Sequence, residues 1–220
     1  MQAAILTFDG LTVLDAIGPY EVMRSVPGWE VRFVAPEAGE QRADSGSLGL
    51  VADHSLEEVG QPDIVLVPGG PGNRALLDDE RVLGWLQASD RHTRWTTSVC
   101  TGSLVLGAAG LLDGKRATSH WLYLGRLVEF GAEPVRERVV VDGKTVTAAG
   151  VSAGIDMALR LVALEAGDEV AQAVQLAIEY DPQPPFEAGS PDAAPPEIVS
   201  VVRGAAARDD DWLRRASEAG

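Results

Sequence analysis

The chain has 220 residues, 45% of them hydrophobic, which is enough for one sizeable core and predicts a single domain. It carries 18 basic and 33 acidic residues, for a net charge of -15, and a surface of that sign repels nucleic-acid phosphates and anionic membranes. We therefore expect neither a nucleic-acid nor a membrane partner. The single cysteine rules out an intrachain disulfide, and the cytoplasm is the expected location.

The first half of the chain alternates short apolar runs with segments of helical spacing. The N-terminal run is interpreted as a first strand and not as a signal peptide. The run at residues 63–67 is apolar on both faces after its first residue, Asp63, and is followed by the breaker Pro-Gly-Gly-Pro-Gly at residues 68–72. The predicted elements of this half are strands at residues 3–8, 29–35, 63–67 and 95–99 and helices at residues 15–26 and 81–89.

The second half continues the alternation and adds a hairpin whose turn is Asp142-Gly143. Its predicted elements are a helix of small residues after Cys100, a strand at residues 116–119, a hairpin over residues 139–148, and helices at residues 121–130, 152–165, 169–178 and 197–207. Strands alternating with helices predict a single-domain α/β sandwich with a mostly parallel central sheet. We assign residues 1–207 to this α/β domain.

The chain ends in a segment rich in Arg, Asp and Glu. Residues 208–220 are predicted to form an acidic C-terminal tail. Its run Asp209-Asp210-Asp211 is expected to be solvated, as runs of like charge usually are.

Cys100 stands between a buried strand and a helix made of small residues. That arrangement is typical of a nucleophile elbow, a tight turn that lifts the side chain above the carboxyl edge of the sheet. The helix N-terminus directs backbone N–H dipoles at the sulfur and favours the thiolate. The alternative is a buried cysteine that packs as a small hydrophobe, the commoner state of a free cysteine.

Further candidates surround this junction. The loop that contains Gly69 and Gly70 ends the other clear buried strand, and its N–H groups would form an anion hole if the two strands are neighbours. Asp15 is either an exposed acid at a helix start or a partly buried functional acid with a raised pKa. His120 follows a predicted strand and either lines a pocket or serves in packing. The few histidines and the cysteine show no metal-ligand spacing, and no cofactor motif appears.

Seven segments of the chain have the character of family motifs. They are LDAIGP at residues 14–19, PGG at 68–70, TSVCTGSLVLGAAGLL at 97–112, RATSHW at 116–121, EYDP at 179–182, PPF at 184–186 and AGSP at 188–191. These segments resemble motifs of the isonitrile hydratases, a subgroup of the ThiJ/PfpI superfamily. The resemblance extends from about residue 5 to the last predicted helix.

The resemblance implies a sandwich similar to class I glutamine amidotransferases, assembled as a homodimer. It implies a small-molecule isonitrile substrate, hydrated to an N-substituted formamide by a hydro-lyase type of carbon–nitrogen lyase. By motif, Cys100 is the nucleophile, Asp15 its partner acid and Thr101 a supporting neighbour. Proteases of the superfamily carry histidine straight after the cysteine, so Thr101 counts against peptidase activity.

Two other functions remain open at the level of sequence. Sensor domains of related transcription regulators share the elbow and the early acid motif, which would make the chain a ligand-sensing or redox-sensing module. Those regulators carry a further basic DNA-binding domain of about 100 residues, which an acidic chain of this length disfavours. The third possibility is an aldehyde-processing enzyme of the glyoxalase or deglycase kind.

Overall fold

The structure is a computed structural model that describes residues 1–210. Apolar and β-branched runs form its strands, because such side chains pack well on a pleated surface. The strands of this part of the chain are β1 (Gln2–Leu6), β2 (Glu30–Ala35), β3 (Gly39–Arg42), β4 (Gly49–Ala52), β5 (His54–Ser55), β6 (Ile64–Val67), β7 (Trp95–Val99), β8 (Arg116–Ala117), β9 (Glu133–Pro134), β10 (Val139–Asp142) and β11 (Thr145–Ala148).

Seven of these strands form the central sheet, in the order β10-β11-β7-β6-β1-β2-β5. All neighbours in it are parallel except β10, which pairs antiparallel with β11 across the Asp142-Gly143 turn. The strands β6 and β7 lie side by side, with Val67 opposite Ser98. The loop after β6 and the residue after β7 therefore meet at one edge of the sheet.

Helices cover the sheet in two groups. The helices α1 (Val13–Met23) and α6 (Asp168–Ala177) each pack against α5 (Ala153–Ala166), while α3 (Glu80–Asp90) packs against α4 (Gly102–Ala108). Every residue of β6 is buried, and since successive side chains of a strand point to opposite faces, both faces of the sheet are covered. The helices of residues 1–210 are α1 (Val13–Met23), α2 (Asn73–Leu76), α3 (Glu80–Asp90), α4 (Gly102–Ala108), α5 (Ala153–Ala166), α6 (Asp168–Ala177) and α7 (Pro196–Asp209), with 3₁₀ helices at Glu57–Val59 and Leu124–Phe130.

The predicted fold is confirmed: a mixed α/β domain with a large, mostly parallel central sheet. Several elements differ from prediction, among them one helix and one pair of strands. The expected helix at residues 121–130 is a shorter 3₁₀ helix, Leu124–Phe130, which is capped by Gly131 with φ 74°. The antiparallel pair β3–β4 was not predicted, because its first strand, Gly-Glu-Gln-Arg, is polar and half exposed.

The C-terminal helix α7 runs to Asp209, two residues past the predicted end of the domain. Asp210 is buried, so its expected solvation is wrong, since it forms an ion pair with Arg74. The rest of the predicted acidic tail, residues 211–220, lies outside the described residues. Over residues 1–210, no helix combines the length and apolar character needed to cross a bilayer.

Candidate active site

Cys100 occupies the turn between β7 and α4, as the elbow prediction requires. Its backbone adopts φ 58°, a left-handed conformation that costs an ordinary L-residue on the order of 1–2 kcal/mol. Hydrogen bonds at both ends of the residue hold it there. Its N–H donates to the carbonyls of Ala148 and Ala149 at 3.0 and 3.1 Å, and its carbonyl accepts from the hydroxyls of Ser103 and Ser119, both at 3.1 Å.

Asp15 lies in the first turn of α1 and is fully buried. Its Oδ2 accepts a hydrogen bond of 2.9 Å from the backbone N–H of Gly69. Its other oxygen, Oδ1, is buried and has no hydrogen-bond partner among the described residues. The exposed-acid alternative for Asp15 is thereby excluded. A buried carboxyl oxygen without a donor favours the protonated acid, which can itself donate.

The loop after β6 connects the acid to the cysteine. Gly70 N–H donates to Thr101 Oγ1 at 3.1 Å, one residue beyond Gly69 and its bond to Asp15. The Thr101 carbonyl accepts from the Asn73 side-chain amide at 2.9 Å. The amides of Gly69 and Gly70 are thus engaged by protein acceptors and do not point into an open anion hole. They fix the positions of the acid and of the residue beside the nucleophile.

The titration of Asp15 and Cys100 reflects their burial and their proximity. Burial raises the pKa of Asp15 to about 7, against the Gly69 hydrogen bond and an interaction with Cys100 that lower it. Burial, followed by the Asp15 carboxylate, raises the pKa of the Cys100 thiol well above its ordinary value, while the Thr101 N–H lowers it. The net direction at Cys100 is opposite to the thiolate expected from the helix N-terminus. The two groups therefore titrate as a coupled pair.

A cavity of about 190 Å³ opens onto Cys100. Its lining combines apolar groups, which suit an uncharged organic substituent, with cationic and phenolic ones. The lining residues are Thr12, Gly70, Pro71, Asn73, Arg74, Cys100, Thr101, Leu104, His120, Tyr123, Arg126 and Val151. Of the residues proposed from sequence, Cys100, Thr101, Gly70 and His120 line this cavity, while Asp15 and Gly69 lie behind it.

His120 combines the two roles that the sequence left open. It lines the cavity, and its ring packs so closely on Gly150 that a Cβ there would overlap the imidazole. Burial lowers its pKa below the usual value, so the ring is neutral at neutral pH. A neutral imidazole can offer one donor and one acceptor to a ligand.

The sequence did not identify several residues that build the site. Ser119 lies in a motif singled out by resemblance, and Asn73 directly follows the glycine-rich loop, so proximity to these motifs was the available signal. Arg74 and Tyr123 carried no signal of their own. Over residues 1–210, no cluster of three or more His, Cys, Asp or Glu side chains is arranged to hold a metal ion.

The parallel sheet, the strained cysteine at the end of β7 and the carboxyl behind it define a cysteine-elbow α/β protein. The chain belongs to the DJ-1/PfpI family, whose model matches residues 1–164. It is 45% identical over 207 residues to an isonitrile hydratase of Pseudomonas putida, covering 94% of this chain and 90% of that protein. A ThiJ/PfpI family protein of known structure from Pseudomonas syringae superposes with a TM-score of 0.91 at 38% identity, covering 94% and 86% of the two chains.

A more distant similarity concerns a regulator. The HTH-type transcriptional regulator GbdR of Pseudomonas aeruginosa is 30% identical over 178 residues. This match covers 79% of the present chain but only 48% of the regulator.

Proposed function

We propose that the protein hydrates isonitriles to N-substituted formamides, as a hydro-lyase type of carbon–nitrogen lyase. The observation that carries the proposal is the pairing of Cys100 at an elbow with a buried carboxyl, Asp15, whose pKa is raised to about 7. The 45% identity to the Pseudomonas putida isonitrile hydratase over nearly the whole chain supports this substrate class.

The first step forms a bond from sulfur to carbon. The Cys100–Asp15 pair, carrying one proton between its two groups, supplies both a nucleophile and an acid. The pKa of Cys100 lies above that of Asp15, so the single proton starts on the thiol. As Cys100 Sγ attacks the terminal carbon of the isonitrile, the Asp15 carboxylate accepts this proton and passes it to that same carbon. Without that proton the adduct would be a poorly stabilised carbanion. The product is a thioimidate, and Asp15 is left as the carboxylate.

The second step consumes water. The Asp15 carboxylate accepts a proton from a water molecule as its oxygen adds to the thioimidate carbon. Of the two water protons, one ends on the substrate nitrogen and the other returns to the pair. The C–S bond then breaks, Cys100 is released, and the formamide leaves with the pair in its starting state.

The remaining proposed residues position these groups. Thr101 holds Gly70 through its hydroxyl, and Gly69 holds the acid through its amide. His120, neutral and on the cavity wall, is proposed to contact the substrate. No metal or cofactor takes part in the proposed steps.

The regulator similarity supports a second candidate, a ligand-sensing or redox-sensing module. A redox-sensing cysteine is usually exposed and of low pKa, whereas Cys100 is buried and its pKa is raised. This environment favours catalysis assisted by a neighbouring acid over oxidation. A glyoxalase or deglycase activity has no specific observation in its favour.

The test is incubation with cyclohexyl isonitrile, followed by chromatographic measurement of N-cyclohexylformamide. We expect multiple turnovers for the wild type and none for Cys100→Ala, with matching circular dichroism spectra. Acid quenching during turnover should trap a mass increase equal to one isonitrile on intact wild-type protein. Comparable formamide production by Cys100→Ala would contradict the nucleophile assignment, and no production by wild type would contradict the proposed function.

For assembly and location we propose a homodimer in the cytoplasm. The dimer follows from the resemblance to the superfamily. The location follows from the lone thiol, which a reducing compartment keeps free for catalysis. Sedimentation at micromolar concentration should show twice the chain mass, and a 23.2 kDa species would contradict the dimer.

A further inference from the structure

The Asp210 carboxylate contacts two side chains that line the cavity. Its Oδ2 accepts a hydrogen bond of 2.7 Å from the Tyr123 hydroxyl and lies 2.5 Å from the Arg74 guanidinium nitrogen. Both donors line the cavity above Cys100. The Asp210 side chain is 7% exposed, while that of Arg74 is 49% exposed, so the carboxylate is the inner member of the ion pair.

The two donors are built into the wall around the nucleophile. Arg74 lies on α2, next to Asn73, whose amide holds the Thr101 carbonyl. Tyr123 precedes the 3₁₀ helix, and its ring contacts that of His120 at 6.1 Å between centroids. Burial, followed by the bond to Asp210, raises the pKa of Tyr123 to about 12, so its hydroxyl remains a donor at neutral pH.

Arginine and phenol donors that converge on one oxygen form a recognition site for a carboxylate. The protein's own Asp210 occupies this position. A substrate that brings a second carboxylate into the cavity meets a negative charge and finds these two donors engaged. A neutral substrate meets neither obstacle.

We propose that Asp210 is a specificity-determining residue, which occupies the Arg74–Tyr123 carboxylate position and makes the Cys100 cavity select neutral ligands over anionic ones. For the natural substrate the inference rests on the proposed function, and it narrows the class to isonitriles without a carboxylate. The selection itself is a property of the cavity, and therefore affects any reagent that reaches Cys100.

The first experiment measures the selection of neutral over anionic reagents at Cys100, and it does not depend on isonitrile turnover. Cys100 is the only cysteine, so intact mass reports its alkylation alone. Iodoacetate and iodoacetamide have nearly the same size and differ in charge. In Asp210→Asn we expect the iodoacetate rate constant to rise about tenfold, because a buried negative charge is removed beside Arg74. The iodoacetamide rate constant should stay within about twofold of wild type, because neutral reagents do not respond to this charge.

Two further variants test whether the local charge beside Arg74 causes the faster reaction with iodoacetate. Asp53→Asn changes the net charge equally at an exposed position that does not line the cavity, and we expect both rate constants to stay at the wild-type values. Arg74→Gln combined with Asp210→Asn should lose most of the gain for iodoacetate, since the cation that attracts it is gone. Circular dichroism melting of each variant shows whether the fold is retained.

The second experiment uses isocyanoacetate and its neutral methyl ester as paired substrates. We expect wild type to prefer the ester, and Asp210→Asn to raise kcat/KM for isocyanoacetate about tenfold with little change for the ester. The proposal would be overturned if Asp210→Asn changed the rate constants and kcat/KM values equally for the charged and the neutral member of each pair. Asp210 would then restrict access to the cavity without regard to charge. No effect on either pair would also overturn the proposal. If wild type hydrates no isonitrile, the proposed function fails, while the alkylation ratio still decides the role of Asp210.

Discussion

Gly69 is bonded at both ends of its backbone to the first turn of the helix that carries Asp15. Its N–H donates to Asp15 Oδ2, and its carbonyl accepts from the N–H of Thr12, both at 2.9 Å. One residue of the loop after β6 therefore fixes both the start of α1 and the orientation of its acid. Among the described residues Asp15 Oδ1 has no hydrogen-bond partner, which leaves this oxygen available to the neighbouring thiol.

The dependence of activity on pH should follow the Cys100–Asp15 pair. Below about pH 7 both groups are protonated and no nucleophile is present, because the pKa of Asp15 is about 7 and that of Cys100 lies well above its ordinary value. The form with one proton predominates above about pH 7. We expect kcat/KM for cyclohexyl isonitrile to rise through about pH 7 and then to level off.

The variant Asp15→Asn tests this assignment directly. Asparagine keeps the shape of the side chain but is not an acid, so kcat should fall at least about a hundredfold and the step near pH 7 should disappear. Substrate binding should be retained. A variant with wild-type kcat and an unchanged pH profile would remove Asp15 from the mechanism.

The same substitution should stabilise the protein at alkaline pH. The pKa of Asp15 is raised from 3.8 to about 7, so the folded state binds this proton more tightly than the unfolded state does. The stabilising contribution is complete below about pH 4 and is lost as pH rises through about 7. Above that, an ionised carboxylate stays buried at a cost of a few kcal/mol, since each pKa unit corresponds to about 1.4 kcal/mol.

We therefore expect Asp15→Asn to melt at a higher temperature than wild type at pH 8. Its advantage should shrink as pH falls from 7 towards 4, where the wild-type carboxyl becomes neutral. Calorimetry of both proteins across this range provides the measurement. A difference in Tm that is independent of pH would mean that the pKa of Asp15 is not raised.

The sequence predicts the middle of the central sheet well, because β1, β6 and β7 are buried along nearly their whole length. The runs that became β6 and β7 are short, apolar or β-branched, and bounded by glycine, proline or the cysteine itself, so no helical interpretation competes. The pair β3–β4 lacked this signal, because residues such as Glu40 and Gln41 are polar on a half-exposed surface. The pairing of β3 with β4 therefore depends on contacts that exist only in the folded chain.

Only those parts of the site that have a local sequence pattern were predictable. Cys100 is recognised from local context, since the strand and the small-residue helix flank it directly in sequence. The contact between Arg74 and Asp210 joins residues 136 positions apart, and no local pattern specifies it. A run of three aspartates usually predicts a solvated face, and only the folded chain shows that Asp210 finds a cationic partner.

Gly69 lies so close to Thr101 and Asp15 that no side chain fits at this position. A Cβ on this residue would lie 2.6 Å from both the N and Oγ1 atoms of Thr101 and 2.9 Å from Asp15 Oδ2. Gly69→Ala must therefore separate the acid from the nucleophile, and we expect kcat to fall about a hundredfold, as misplacement by about 1 Å can do. Steady-state kinetics with cyclohexyl isonitrile checks this.

Gly84→Ala is the matched control. Gly84 lies within α3, and a Cβ there meets nothing within 4 Å. This variant should keep wild-type kcat and gain up to about 1 kcal/mol of stability from the better helix propensity of alanine. If both variants were equally active, the packing of Gly69 against the pair would have no catalytic consequence.

Thr101 should act through the hydroxyl that accepts the Gly70 N–H. Valine has almost the same shape but cannot accept, so Thr101→Val leaves a buried amide unpaired at a cost of about 1–3 kcal/mol. It also removes a hydrogen bond that lowers the pKa of Cys100. We expect a lower Tm, a reduced kcat and slower alkylation of Cys100 by iodoacetamide at pH 8.

Thr101→Ser is the matched control, because it keeps the acceptor and should stay close to wild type in all three measurements. If Thr101→Val kept the wild-type kcat, the hydroxyl contact with Gly70 would not be required for activity.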